Sequence, residues 1–248
     1  MKVLIMASGS GTNAFKIKQK FDEIYKGKVD FTIGHNTENP KVIEKFKKFP
    51  EVPTVHLPSP GRDFTRVIQF IENNEFDQVV LAGYTRVLPL EVIKLISGKC
   101  INIHPALLPL HQGCIGYLDT AKANDFYAGC TVHDVTEIVD GGEYLAQAGF
   151  RIPAAVLENP DFDARLNAIT NIGLHLEWEV FYRVLAGRLF GEYESPGQPP
   201  FYTAIRNDFR KSLARDGLCD IPEQDFIFPR DERWKEIIRT KAQEIIRK

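Results

Sequence analysis

Cysteine is scarce in these 248 residues: Cys100, Cys114, Cys130 and Cys219 are the only four, with no close pair among them. A disulfide framework needs a denser pattern in a secreted chain, so free thiols are expected. Cys130 with His133, and His111 with Cys114, each stand three apart, but neither comes with the second tight pair of a structural zinc site. No metal is expected. Charge of one sign is also missing. Thirty-one basic and 33 acidic residues leave a net charge of −2 and a pI near 6.3, which gives no electrostatic hold on nucleic acid or an anionic membrane. No apolar run approaches a membrane span. The opening MKVLIMASGSG has one lysine and too short an apolar stretch for a signal peptide. A cytoplasmic protein is the expectation.

What is present is alternation. Short apolar runs at 2–7, 29–34, 54–57, 78–82 and 100–104 read as strands, because they lack the polar alternation of a half-exposed sheet. Between them, 13–28, 40–49, 62–74 and 90–96 carry apolar residues at helical spacing; Phe64, Val67, Ile68 and Ile71 fall on one side. This order predicts an α/β fold, a Rossmann-like, mostly parallel sheet with helices on both faces. Further on, 117–124 reads as a helix, 129–135 and 144–151 as strands, and 164–189 as a long helix. Glu192 to Pro200, EYESPGQPP, reads as a boundary. The expected organisation is one domain over 1–190 and a C-terminal helical extension over 191–248, with a helix at 231–248, too short and polar to be a domain of its own.

Two stretches carry chemistry. Ala7-Ser8-Gly9-Ser10-Gly11-Thr12-Asn13 leaves the first strand and opens the first helix. Glycines there allow close backbone approach, and the free N–H groups of a helix start favour an anion. A dinucleotide reading would need a carboxylate at the end of the second strand, where the chain has Ile33-Gly34-His35-Asn36. A phosphate or carboxylate cradle fits better, and a bare turn without ligand is the alternative. The second stretch is INIHPALLP at 101–109. Residues two apart on a strand share a side, so Asn102 and His104 both face one way at the carboxyl end of a parallel strand, the ligand edge of such sheets. Asp140, in Val139-Asp140-Gly141-Gly142, can bring a carboxylate to that edge. An amide, an imidazole and a carboxylate suit acyl transfer to an amine. Asn102 and a charged His104 would stabilise the oxyanion, and Asp140 would keep His104 charged or help move the proton. No serine or cysteine stands in a nucleophile context, so direct attack is expected.

The motifs ASGSGTN (7–13), VVLAGYTRVL (79–88), NIHPALLP (102–109) and GCTVHDVTEIVDGG (129–142), in that order, resemble the folate-dependent formyltransferases over roughly residues 1–190. The purine-synthesis branch comes nearest. The resemblance implies 10-formyltetrahydrofolate as formyl donor and a small phosphorylated amine as acceptor, glycinamide ribonucleotide foremost. It implies Asn102, His104 and Asp140 as the catalytic set, Gly11, Thr12, Asn13 and Arg62 around the acceptor's phosphate, and Arg86, Val87, Leu88, Val135 and Val139 around the folate. The plain alternative for these apolar residues is core. The sequence departs from that branch on the acceptor side. Gly113-Cys114-Ile115 stands where the branch has a histidine, and Gly173-Leu174 where its last helix has a Glu-His pair. Alternative expectations are an amino sugar on a nucleotide as acceptor, water as acceptor (a hydrolase), or a folate- or nucleotide-binding protein without activity. Methionyl-tRNA fits worse, since the chain is not basic and its tail does not read as a barrel.

Overall fold

The computed structural model describes residues 1–36, 40–113, 115–191 and 199–229. They form two compact units, and β5 and β6 each run from one into the other. Unit 1 comprises Met1–Ile103, His133–Glu143 and Arg188–Gly191; unit 2 comprises His104–Val132, Tyr144–Gly187 and the described residues beyond 198.

Unit 1 is wound strand by strand: β1 (Lys2–Ala7), α1 (Thr12–Tyr25), β2 (Asp30–His35), α2 (Pro40–Phe46), β3 (Thr54–His56), α3 (Thr65–Glu72), β4 (Gln78–Leu81), α4 (Leu90–Leu95) and β5 (Cys100–His104). The strands lie in the order β3-β2-β1-β4-β5, all parallel, with Val3 opposite both Phe31 and Gln78, and Val79 opposite Cys100. Leu4 and Met6 enter a core cluster with Val67, Ile71, Val92 and Ile96, from α3, α4 and the turn after α4. The alternate residues Val3 and Ile5 are as fully buried, so the other face of β1 is covered too. That double burial is why these strands read as unbroken apolar runs. The winding reverses between β1 and β4, and open α/β sheets bind ligands at the carboxyl ends of the strands at such a switch. Here the two carboxyl ends are stitched together. The Ser8 N–H donates to the Gly83 carbonyl at 3.0 Å, and the Thr85 N–H to Ser8 Oγ at 3.1 Å.

Unit 2 contains α5 (Tyr117–Lys122), most of β6 (Tyr127–Asp134), β7 (Tyr144–Arg151), α6 (Ala154–Leu157), nearly all of α7 (Phe162–Phe190), α8 (Pro199–Arg215), a short 3-10 turn and β8 (Phe226–Ile227). Its strands follow the order β6-β7-β8, β8 antiparallel to β7 with Phe150 opposite Phe226. The expected elements recur with their ends shifted by a few residues, 162–190 for 164–189 among them. The expected helix at 231–248 lies outside the described residues. Three elements, α6, α8 and β8, were not expected from the sequence, nor was the 3-10 turn; the four residues of α6 make barely one helical turn. α8 is hidden there because Pro199-Pro200 looks like a linker, yet proline is tolerated in a helix's first turn, where its missing N–H has no intrahelical acceptor. The two-residue β8 is too short for any periodicity.

Residues 199–229 supply real core. Phe201, Ile205, Phe209 and Leu213 are buried along one side of α8, and the Phe209 ring lies 6.0 Å from Phe150 and 5.3 Å from Phe226. Arg183 of α7 pairs with Asp208 of α8 and, at 2.9 Å, with Glu179. Phe209→Ala is therefore expected to cost about 3–5 kcal/mol, read as a lowered chemical-denaturation midpoint. A loss below about 1 kcal/mol would mean that the extension only rests on the surface.

Candidate functional site

At the carboxyl end of β1, Gly9 and Gly11 take φ of 66° and 63°, left-handed values that glycine adopts freely. A Cβ on Gly11 would also press on Val42 at 3.3 Å. Gly11 is the N-cap of α1, which has no side-chain cap and no acidic residue in its first turn. The helix's own first turn thus brings no carboxylate to its leading N–H groups, which favours an anion there. Thr12 Oγ1 lies 3.0 Å from Ser10 Oγ and accepts from Lys45 Nζ at 2.5 Å. Asn13 follows, half-buried. Partial burial, then the charge of Lys41, lowers the Lys45 pKa from its usual value. Lys45 has no signal in the sequence; nothing in a helix 33 positions away announces that it returns to this turn. Arg62 stands exposed in the turn 60–63, where the Asp63 N–H donates to the Pro60 carbonyl at 2.9 Å. Arg86 braces that turn by donating to the carbonyls of Ser59, at 2.9 Å, and Gly61.

Also in unit 1, the ends of β5 and β6 and the loop after β6 bring three polar groups together. Asn102 Nδ2 lies 3.1 Å from His133 Nε2, and Asp140 Oδ1 lies 3.4 Å from the same nitrogen. His133 is 2% exposed, and its Nδ1 faces the Asp134 carbonyl at 2.8 Å. A carbonyl only accepts, so Nδ1 carries a hydrogen, and Nε2 is the nitrogen that faces Asn102 and Asp140. With Nε2 bare it accepts from the Asn102 amide. With Nε2 protonated it donates to the Asp140 carboxylate. His133 and Asp140 thus form a pair, joined through Nε2 when that nitrogen carries a hydrogen, beside an amide. Asp134, whose carbonyl sets this tautomer, is itself held by Arg188. Asp140 sits at φ 51°, a left-handed conformation that aspartate tolerates better than most residues. A Cβ on Gly142 would lie 1.8 Å from the Asp134 carbonyl oxygen, so glycine there lets the loop fold back. In the sequence, His133 stood out only as half of a metal spacing. The alternation that singles out Asn102 and His104 on β5 would have found it beside Thr131 on β6.

His104, two residues beyond Asn102 on β5, belongs to unit 2 and is 5% exposed. Its Nε2 lies 3.0 Å from the His111 carbonyl oxygen. The segment that follows is clamped. Thr131 Oγ1 donates to the Ala106 carbonyl and accepts from the Leu108 N–H, while Gln147 donates to the Leu108 carbonyl and to Thr131. This buried network is closed on itself, which rigidifies the turn after His104.

The five expected folate residues divide. Val87 and Val139 present apolar side chains to solvent, 70% and 44% exposed. Leu88 belongs to the core cluster of unit 1, and Val135 packs against it; Arg86 points to the carbonyls already described. On the acceptor side, Cys114 lies outside the described residues. Ile115 is exposed, while Tyr117 is buried, its phenol pKa pushed well up by burial and by the Glu177 charge. A Cβ at Gly173 would lie 2.2 Å from Tyr117 Cζ. The tyrosine ring thus fills the space that a larger residue at 173 would need. Among the described residues no group of three or more His, Cys, Asp or Glu could hold a metal, and no helix is long and apolar enough to cross a membrane.

Comparison with known proteins bears on the family and the fold. The phosphoribosylglycinamide formyltransferase of Haemophilus influenzae is 30% identical over 157 residues, 59% of this chain and 71% of that protein. Its Bacillus subtilis counterpart is 30% identical over 161 residues, 61% and 80% of the two chains. The crystal structure of phosphoribosylglycinamide formyltransferase from Bacillus halodurans superposes with a TM-score of 0.64 at 28% identity, covering 79% of this chain and all of that one. The family model described as Formyl transferase matches residues 1–168, and the chain belongs to that family.

Proposed function

We propose that this formyl transferase moves the formyl group of 10-formyltetrahydrofolate to the primary amine of glycinamide ribonucleotide by direct attack. The observation that carries the reading is the cluster of Asn102, His133 and Asp140 in the same unit as an uncapped, lysine-flanked helix start. The exposed Val87 and Val139 fit the flat ring system of a folate. The Asn102 amide donates to the formyl oxygen as it gains charge. His104, two residues on along the same strand, is assigned as a second donor. The Asp140 carboxylate, coupled to His133, takes the proton that the amine nitrogen loses as it bonds to the formyl carbon. It returns that proton to the folate nitrogen as the old carbon–nitrogen bond breaks. Gly11, Thr12, Asn13 and Lys45, with Arg62, are assigned to the acceptor's phosphate. Residues 191–248 act in this reading as an extension of the 1–190 domain, a view supported by the shared aromatic core of α8, β8 and β7. A cytoplasmic setting is supported by the free, buried thiols of Cys100 and Cys130.

Tyr117 filling the space above Gly173 favours a second reading, in which the acceptor is another phosphorylated amine such as an amino sugar on a nucleotide. Turnover of 10-formyltetrahydrofolate, followed by its absorbance with a panel of amines, decides. Rapid turnover with glycinamide ribonucleotide supports the first reading, and turnover with only an amino-sugar nucleotide the second. Turnover without any amine would mean hydrolysis, and tight folate binding without turnover a binding protein. Lys45→Met is expected to raise the KM of the phosphorylated acceptor about 10–100-fold, the loss of a charge-assisted hydrogen bond, with kcat little changed. An unaltered KM would remove Lys45 from the site.

A further inference from the structure

We propose that His111 and Asp125 form a positioning pair that fixes the ring of His104. The proposal rests on the reading of His104 as a group that acts on the substrate, and all three residues lie in unit 2. His104 Nε2 is 3.0 Å from the His111 carbonyl oxygen. A carbonyl oxygen can only accept, so Nε2 carries a hydrogen in both charge states of the ring. The neutral ring is held as the Nε2–H tautomer, and Nδ1 is the nitrogen that gains and loses a proton. For a residue that must present one particular nitrogen to a developing oxyanion, that choice matters as much as its charge.

The carbonyl is aimed by an unusual backbone. His111 sits at φ 55°, in the left-handed region that residues with a Cβ enter at a cost. Its own side chain holds it there: His111 Nε2 donates to Asp125 Oδ2 at 2.7 Å. The Asp125 side chain is 7% exposed and that of His111 19%, so this pair is desolvated and stronger than one on the surface. Asp125 is anchored in turn, its N–H donating to the Thr120 carbonyl at 3.2 Å, at the end of α5. With Thr131 and Gln147 gripping 106 and 108, the run from 104 to 111 is tied near its start, middle and end. Asp125 and the His111 side chain act on His104 only through a backbone carbonyl, so they position it and do not themselves react.

The test is the protonation pattern of His104 in the full chain with 15N-labelled histidine, read by long-range 1H–15N spectra above the ring's pKa, alongside steady-state kinetics. In the unaltered protein the neutral His104 ring is expected to carry its hydrogen on Nε2; a ring with hydrogen on Nδ1 overturns the proposal, and this arm needs no variant to fold. In Asp125→Ala, a mixture of tautomers is expected, with kcat lowered about 100-fold, the scale of a small misplacement of a reacting group, and both KM values within about twofold. Asp125→Asn keeps an oxygen to accept from His111 and is expected to restore tautomer and kcat. An Asp125→Ala protein with native tautomer and native kcat overturns the positioning pair. A lost tautomer with unchanged kcat upholds the pair and instead removes His104 from the reaction.

Discussion

Asp140→Asn is expected to lower kcat for formyl transfer by about 10²–10⁴-fold, the range for losing a positioned acid–base group, with both KM values within about threefold. The substitution is chosen to isolate the carboxylate. Asparagine tolerates the left-handed backbone that Asp140 adopts at φ 51°, and it has nearly the same shape. What it lacks is the capacity to share a proton with His133 Nε2, 3.4 Å away. In the wild-type site the Asp140 carboxylate can take the amine's proton and return it without solvent. In the variant, His133 Nε2 has two amides and no carboxylate beside it. A matched midpoint of unfolding in the two proteins, measured with the kinetics, would place the loss in the chemistry. A kcat within tenfold of wild type would take Asp140 out of the proton path.

Asn102→Leu carries the second large effect, about 10²–10³-fold on kcat, the cost of removing one oxyanion donor. Leucine is of similar size, and Asn102 is only half-buried on a strand whose neighbours Ile101 and Ile103 are buried, so the strand should accept it. The variant removes two hydrogen bonds: the one assigned to the formyl oxygen and the one at 3.1 Å to His133 Nε2. His133 then keeps only Asp140 at that nitrogen. With the Asn102 amide gone, a hydrogen on Nε2 meets only the Asp140 carboxylate, so the pH dependence of kcat should change along with its magnitude. A variant with full kcat would contradict the oxyanion role. One with an unchanged pH profile and a 10²-fold loss would confine Asn102 to the oxyanion and free it from the His133 pair.

Much of the fold was legible because its parallel strands are buried on both faces and its helices on one, two patterns with different periods. Lys2–Ala7, Cys100–His104 and Tyr144–Arg151 fall where the apolar runs fall. The extension was harder to read. Proline at a helix start and proline in a linker look alike in sequence. Only the burial of Phe201, Ile205 and Phe209 along one side of α8 tells them apart. The site was half legible. Strand alternation flagged Asn102 and His104, and the glycine-flanked loop flagged Asp140. His133 and Lys45 were not found, since their partners Asn102 and Thr12 lie 31 and 33 positions away along the chain. Over that separation only the fold sets proximity, although alternation on β6 already marks His133 beside Thr131.

Transfer to an amine is the central claim, and a single-turnover reaction with 13C-formyl-labelled 10-formyltetrahydrofolate and glycinamide ribonucleotide tests it most directly. The label is predicted to appear in the formylated ribonucleotide, one for each tetrahydrofolate released, and Asp140→Asn is predicted to slow its appearance. Label recovered as free formate, or left on the folate with the amine present, would contradict it.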